Sequence, residues 1–185
     1  MVLVSAKIAW QECPYRRTKL KLSTTLEDSF NDQINAELES AYLYLSMAAY
    51  FEDENLPGFA HWMRLQNEEE NSHAMRFFDY VHDRGGRATL QAIAQPPTDF
   101  ESPLDVMQRT LNHERKVTAL INRMYQIAIE ESDYAAQVML HELINEQVEE
   151  EKTAEEIVDH LKIIDGDGSG LLILDGRMGS RSDAA

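Results

Sequence analysis

Residues 30–51 read FNDQINAELESAYLYLSMAAYF. Taken at alternating steps of four and three they give Phe30, Ile34, Glu37, Ala41, Tyr44, Ala48 and Phe51, the stripe of an amphipathic helix with a glutamate where the period asks for an apolar residue. The same defect recurs in three further stretches. Residues 58–84 give Phe59, Met63, Gln66, Glu70, His73, Phe77 and Tyr80. Residues 103–130 give Leu104, Met107, Leu111, Glu114, Thr118, Ile121 and Tyr125, and residues 133–162 give Ala136, Leu140, Leu143, Gln147, Glu150, Ala154, Ile157 and Leu161. Long apolar stripes of this kind predict an all-α four-helix bundle, with each helix carrying polar groups near its middle. An unpaired buried carboxylate costs several kcal/mol or takes up a proton, so acids that converge in one core make physical sense around a cation.

Punctuation between the stripes sets the helix limits. Thr24-Thr25-Leu26-Glu27 reads as a Thr-x-x-Glu capping box opening the first helix, which stops near Asn55-Leu56-Pro57-Gly58. The second helix ends at Gly85-Gly86, and the third starts at Ser102-Pro103 with an N-cap followed by proline. A short acidic turn around Glu130 to Ser132 makes the third and fourth helices antiparallel neighbours. Residues 86–101, which hold Pro96-Pro97, are too long for a tight turn. At about 3.3 Å per residue such a link reaches roughly 50 Å, enough to run the length of a helix, so the second and third helices can be parallel. The polar breaks fall at similar heights with either connectivity, which supports one shared site and leaves the topology open.

Composition narrows the function. The 185 residues carry a net charge of −16, which repels nucleic acid and favours cations. Residues 1–22 stand apart: Lys7, Arg16, Arg17, Lys19 and Lys21 face only Glu12, so this segment is basic while the rest of the chain is strongly acidic. It reads equally as a basic arm, a targeting segment or an extension from an early start codon, with residues 23–185 forming one domain. A single cysteine, Cys13, excludes an internal disulfide and a Cys-based zinc or cluster site, and suits a reducing compartment. No run of about 18 apolar residues predicts a membrane span.

The chemistry lies in the polar breaks. Glu70 and His73 sit three residues apart on one helix face, where a carboxylate oxygen and an imidazole nitrogen can share a metal. Glu37, Glu114, Gln147 and Glu150 match them on the other stripes. Hard oxygen donors with one imidazole suit iron or manganese. A second acidic group, Glu69, Glu146 and Glu149 beside Glu150, extends outward from the first, as a neighbouring cation site or as a solvated acidic face. Asp165-Gly-Asp-Gly-Ser-Gly170 begins like a calcium loop, but its twelfth position is Gly176 rather than a glutamate, so the glycines read as a helix terminus and turn.

Four segments together, NAELESAYLY at 35–44, EENSH at 69–73, HE at 113–114 and NEQVEE at 145–150, resemble the prokaryotic non-haem ferritins, with a match running from about residue 25 to about 178. The resemblance implies that Glu37, Glu70 and His73 hold one iron of a ferroxidase centre, Glu70 bridging. Glu114 is implied as the principal ligand of the second iron, Gln147 as the polar residue beside it, and Glu150 as the link from that iron to a third. Glu69, Glu146 and Glu149 would complete the third iron site, and Tyr44 would be the tyrosine beside the pair. It further implies Fe(II) oxidation by O2 or H2O2, storage of Fe(III) mineral, a cytoplasmic location and a homo-oligomeric shell of roughly 24 chains. Asn71 stands where bacterioferritins place a haem-ligating methionine, and the fourth helix lacks their second Glu-x-x-His, so no haem is expected. Ferritins also carry a short fifth helix, which Leu171-Leu-Ile-Leu-Asp175 fits, its apolar face buried at a subunit junction. Two other readings use the same residues: a di-iron peroxidase or oxygenase that stores no iron, and a non-catalytic bundle that binds partners.

Overall fold

The computed structural model describes residues 21–181; residues 1–20, most of the basic arm, lie outside the described residues. Five helices follow one another: α1 (Thr24–Asp53), α2 (Pro57–Asp83), α3 (Pro103–Glu130), α4 (Tyr134–Ile164) and α5 (Gly168–Met178). The cap of α1 is Ser23 rather than Thr24: its Oγ accepts from Leu26 N at 3.1 Å. Glu27 is thereby released from the capping box and accepts from Arg87 N at 3.1 Å, tying the far end of α2 to the start of α1. Ser102 and Asp133 cap α3 and α4 through their side chains.

Contacts fix the directions. Ser40 meets His113 while Met47 meets Thr110, so α3 runs against α1. Asn67 Nδ2 donates to Ala41 O at 2.7 Å while Asn31 meets Arg87, so α2 also runs against α1. Helices α2 and α3 are therefore parallel, as a long crossover requires. That crossover lies along α1. Thr89 N donates to Asn31 Oδ1, Gln91 Nε2 to Asp32 Oδ1, Ser46 Oγ to Pro97 O, and the Phe100 ring packs 5.3 Å from Tyr50. It thus spans about 19 residues of helix, roughly 28 Å at 1.5 Å per residue.

The apolar core falls into two clusters, one at each end of the bundle. Phe51 and Phe59 stack at 4.8 Å in the first, with Met47, Met63, Met107 and Ile157; Phe30, Phe77, Ile121 and Leu140 anchor the second. Between them lies a buried polar layer of Glu37, Gln66, Glu70, Glu114 and Gln147. The breaks in the four stripes supply this layer, with His73, Thr118 and Glu150 only partly buried.

The fifth helix is longer than Leu171–Asp175. Asp165 (φ 43) and Gly166 (φ 84) turn the chain through left-handed backbone, and Asp167 then caps α5 by accepting from Gly170 N at 2.9 Å. Leu174 and Met178 are buried in the first cluster while Leu172 and Ile173 stay exposed, so only part of the apolar run is used within the chain. Docking is close. A Cβ on Gly58 would lie 1.8 Å from Asp175 O, and Asp175 Oδ1 accepts from Phe59 N at 3.0 Å, supplying the N-terminal cap that Leu56 does not give α2. No described helix is long and apolar enough to cross a membrane.

Candidate metal centre

The first residue of the centre, Glu37, points inward because α1 turns once every 3.6 residues and its stripe faces the core. Gln33, one turn earlier, donates to Glu37 Oε1 at 2.9 Å and fixes the carboxylate plane. The other oxygen, Oε2, is buried with no hydrogen-bond partner, and Glu70 Oε2 is in the same state. His73 completes the group. One ligand atom each from Glu37, Glu70 and His73 lie within 4.8 Å of one another, with His73 Nδ1 at 3.7 Å from Glu70 Oε2. Two buried oxygens that receive no donor from the rest of the chain, on carboxyls near enough to share a proton and facing an imidazole nitrogen, are what a hard metal ion would fill.

Glu114 faces this group from α3. Tyr44 Oη donates to Glu114 Oε1, and Gln147 Nε2 donates to Glu114 Oε2 at 3.2 Å and to Thr118 Oγ1 at 3.2 Å. Glu150 is half-buried and accepts from Gln66 Nε2 at 3.0 Å. Behind Tyr44 lies His113, whose ring meets the tyrosine edge-on at 6.0 Å. Ser40 Oγ donates to Ala36 O at 2.9 Å and pairs with His113 Nε2 at 2.7 Å; with the hydroxyl proton committed to Ala36, the ring donates from Nε2.

Electrostatics follow from this crowding. Burial, then the neighbouring Glu70 charge, holds the Glu37 carboxyl well above the usual carboxylate range. Burial pushes Glu70 up to about 8 and Glu150 to about 7, with Glu114 adding to both. Burial also raises Glu114, against the lowering effect of its bonds from Tyr44 and Gln147. Burial and the Glu114 charge raise Tyr44, while burial and Lys116 lower His113 to about 4. Without a cation the centre holds protons at neutral pH; a divalent ion would displace them.

The outer acids are placed differently. Glu69 accepts from Arg181 Nη2 at 2.7 Å on both oxygens. Glu146 lies 3.4 Å from Arg76 Nη1 and 3.6 Å from His73 Nε2, and exposed Glu149 lies 3.9 Å from Lys152 Nζ. The structure therefore brings Glu37, Glu70 and His73 into one group, joins Tyr44, Glu114 and Gln147 in another, and gives Glu69, Glu146 and Glu149 cationic partners from the chain itself. Sequence reading passes over Gln33, Ser40 and Arg181, and meets His113 only as the neighbour of Glu114, with no role assigned. Gln33 carries a usable signal, four residues before Glu37 on the same face. Arg181 carries none, since 112 residues separate it from Glu69.

Comparison with known proteins places this arrangement. Residues 27–164 match the family of the ferritin-like domain. A bacterial non-heme ferritin of Bacteroides fragilis is 44% identical over 160 residues, 86% of this chain and 99% of its own length. One from Staphylococcus aureus is 35% identical over 161 residues, covering 87% of this chain and 97% of that protein. Among solved structures, an open pore ferritin from the hyperthermophilic archaeon Archaeoglobus fulgidus superposes with a TM-score of 0.86 at 44% identity, over 88% of this chain and all of that one. A humanized archaeal ferritin gives a TM-score of 0.88 over 89% of this chain. With the family spanning most of the chain and these relatives covered almost end to end, the chain belongs to the ferritin family, with the bacterial non-heme ferritins among its relatives.

Proposed function

We propose that this protein is an iron-storage ferritin whose substrate, Fe(II), is oxidised at the mid-bundle centre and kept as Fe(III) mineral inside a homo-oligomeric shell of roughly 24 chains. The observation that carries the reading is the pair of buried, unpartnered oxygens of Glu37 and Glu70 beside His73. In this reading Glu37 and His73 hold one Fe(II), Glu70 bridges, and Glu114 holds the second with Gln147 beside it. Each Fe(II) gives up one electron; O2 takes both with two protons and leaves as H2O2. With H2O2 as the oxidant, the same two electrons and two protons break the O–O bond to give two waters. Carboxylates favour the step because anionic oxygens stabilise the charge gained on oxidation and can change coordination as it proceeds.

Gln33 keeps Glu37 aimed through its hydrogen bond. The two apolar clusters above and below exclude bulk water, so attraction between carboxylates and cation is undiluted. Glu150, with Glu69, Glu146 and Glu149, makes the outer third site, which tunes turnover rather than enabling it. Assembly is supported by apolar surface on α1 and the crossover, where Tyr42, Leu45, Leu90 and Ile93 are exposed. The net charge of −16 draws Fe(II) to the shell, and a chain with one cysteine is at home in the cytoplasm.

The test is anaerobic loading of apoprotein with Fe(II), then exposure to O2, following Fe(III) absorbance and the iron retained per chain. A fast phase of about two Fe(II) per chain is expected, with Fe(III) co-eluting with the shell. Glu70→Ala and His73→Ala should lose the fast phase while keeping helix content. Wild-type initial rates in either variant would refute the centre, and fast oxidation with no retained iron would refute storage.

A further inference from the structure

The side chain of Arg181, three residues beyond α5, is locked onto the face of α2 beside the outer acids. Its Nη2 donates to both oxygens of Glu69 at 2.7 Å, and its Nη1 donates to Gln66 Oε1. The guanidinium lies over the Trp62 ring, 5.3 Å from the centroid, and the backbone carbonyl accepts from His61 Nε2 at 3.0 Å. Gln66 passes the connection inward, donating from Nε2 to Glu150 Oε2 at 3.0 Å. A fixed positive charge thus stands on Glu69 and, through Gln66, two hydrogen bonds from Glu150.

This contact differs from an ordinary surface ion pair. The two side chains are only 26% and 29% exposed, one guanidinium nitrogen, Nη2, donates to both carboxylate oxygens while Nη1 is held by Gln66, and a ring backs the cation. A carboxylate whose two oxygens both accept from one guanidinium has lost its best lone pairs to that partner. A metal ion and Arg181 cannot both use Glu69 in this way.

We propose that Arg181 is a tethered counter-cation that competes with a divalent metal ion for Glu69, so that the outer site fills only as the guanidinium leaves. The inference rests on reading the mid-bundle layer as a metal centre and the outer acids as its third site. It gives the outer site a built-in weakness: an ion there must displace a side chain of the same sign, and its hold is reduced by the strength of that contact. Ions would then pass through the outer site rather than rest in it. Because the guanidinium covers Trp62, displacement carries its own optical signal.

Zn(II) is a suitable probe, being redox-inert and closed-shell. The two tryptophans are Trp10 and Trp62, so a Trp10→Phe background leaves Trp62 as sole reporter. Calorimetric titration of the assembled apoprotein should show about two tight ions per chain and a weaker third, with Trp62 emission moving only with the third. In Arg181→Ala the third ion should bind about tenfold tighter, equivalent to about 1.4 kcal/mol, and Trp62 emission should start displaced and stay there. Arg181→Lys, which keeps the charge without the second bond to Gln66 or the planar group over Trp62, should fall between. Equal affinity for the third ion in wild type and Arg181→Ala overturns the proposal, as does third-ion binding that leaves Trp62 unmoved. If Glu70→Ala also binds the first two ions like wild type, the metal-centre reading falls with it; if those two are lost and only the Arg181 comparison is flat, the counter-cation alone is wrong.

Discussion

Replacing Glu70 by glutamine should stabilise the metal-free protein at high pH and leave it almost unchanged in mild acid. In the folded chain the Glu70 carboxyl is pushed by burial up to about 8, against an ordinary value of 4.5. Between those limits the folded chain holds a proton that the unfolded chain has released. Its contribution to stability is therefore fully present below 4.5 and is lost as pH rises toward 8, at about 1.4 kcal/mol per pH unit. The loss reaches about 3 kcal/mol at pH 7 and at most about 5 kcal/mol at pH 8, because Glu37, Glu114 and Glu150 share the field and take up protons as Glu70 ionises. Glutamine cannot ionise and lacks this slope. His113 works in the opposite sense: lowered to about 4, it contributes stability above 6.5 that is lost as pH falls toward 4. It is common to both proteins and cancels in their difference. Urea unfolding of both, metal-free and at one protein concentration, should give stabilities within about 1 kcal/mol at pH 5 and a gap widening in favour of Glu70→Gln up to pH 8. Saturating Zn(II) should reverse the order. A difference that is flat across that range, or that grows toward acid, would refute the account of a proton-loaded centre.

Three further outcomes follow from contacts away from the centre. Gly58→Ala puts a Cβ on the Asp175 carbonyl, a backbone atom that cannot yield, so α5 should detach and amide exchange there should rise sharply while α1 to α4 keep their protection. Asp133 caps α4 and grips Arg84 with both oxygens, at 3.1 and 2.7 Å, so Asp133→Ala should cost about 2–3 kcal/mol in urea unfolding at neutral pH. Its carboxyl is held below the ordinary 3.8 by Arg84 and backbone amides against the effect of burial, so that cost should shrink as pH falls through that range. Removing residues 170–185 should impair the shell in analytical ultracentrifugation, since Leu174 and Met178 leave the first core cluster and the exposed Leu172 and Ile173 are lost to any neighbour; an equally stable shell would show α5 to be dispensable.

Most of the fold was legible because helix period, caps and glycine stops are local signals. Phe30, Ile34, Glu37, Tyr44 and Phe51 are buried as their spacing demands, and Ser102 and Pro103 open α3 as their chemistry predicts. The start of α1 was misread by one residue because Ser23, Thr24 and Thr25 all offer a hydroxyl, and only Ser23 lies where its Oγ reaches the Leu26 amide. The spacing alone left the direction of α3 open, since a 16-residue link reaches either end of the bundle; the long crossover expected of a ferritin-like bundle is realised by a tertiary choice, Thr89, Gln91 and Pro97 gripping α1. For the site, the stripes showed which carboxylates point inward but not which share a neighbour. Glu37, Glu70 and His73 meet because α1 and α2 pack side by side at that height, and Glu69 meets Arg181 because α5 folds back on α2.

The way each acid is neutralised explains why only some are left with bare oxygens. A side-chain cation needs a long stem ending in water, which α2 and α4 provide at their outer faces: Arg76 reaches Glu142 and Glu146, and Lys152 approaches Glu149. No lysine or arginine contacts Glu37 or Glu70 among the described ion pairs, and burying one there would cost more desolvation than the pair regains. Inside, the remaining counter-charges are small, either protons or a metal ion, and they compete for the same oxygens. A layer closed to side-chain cations but open to protons is therefore selective by size, and its metal affinity must rise steeply with pH until the last raised carboxyl has ionised. Arg181 stands at the boundary between the two regimes, near enough to water to keep its charge and near enough to Glu150 to be felt by it.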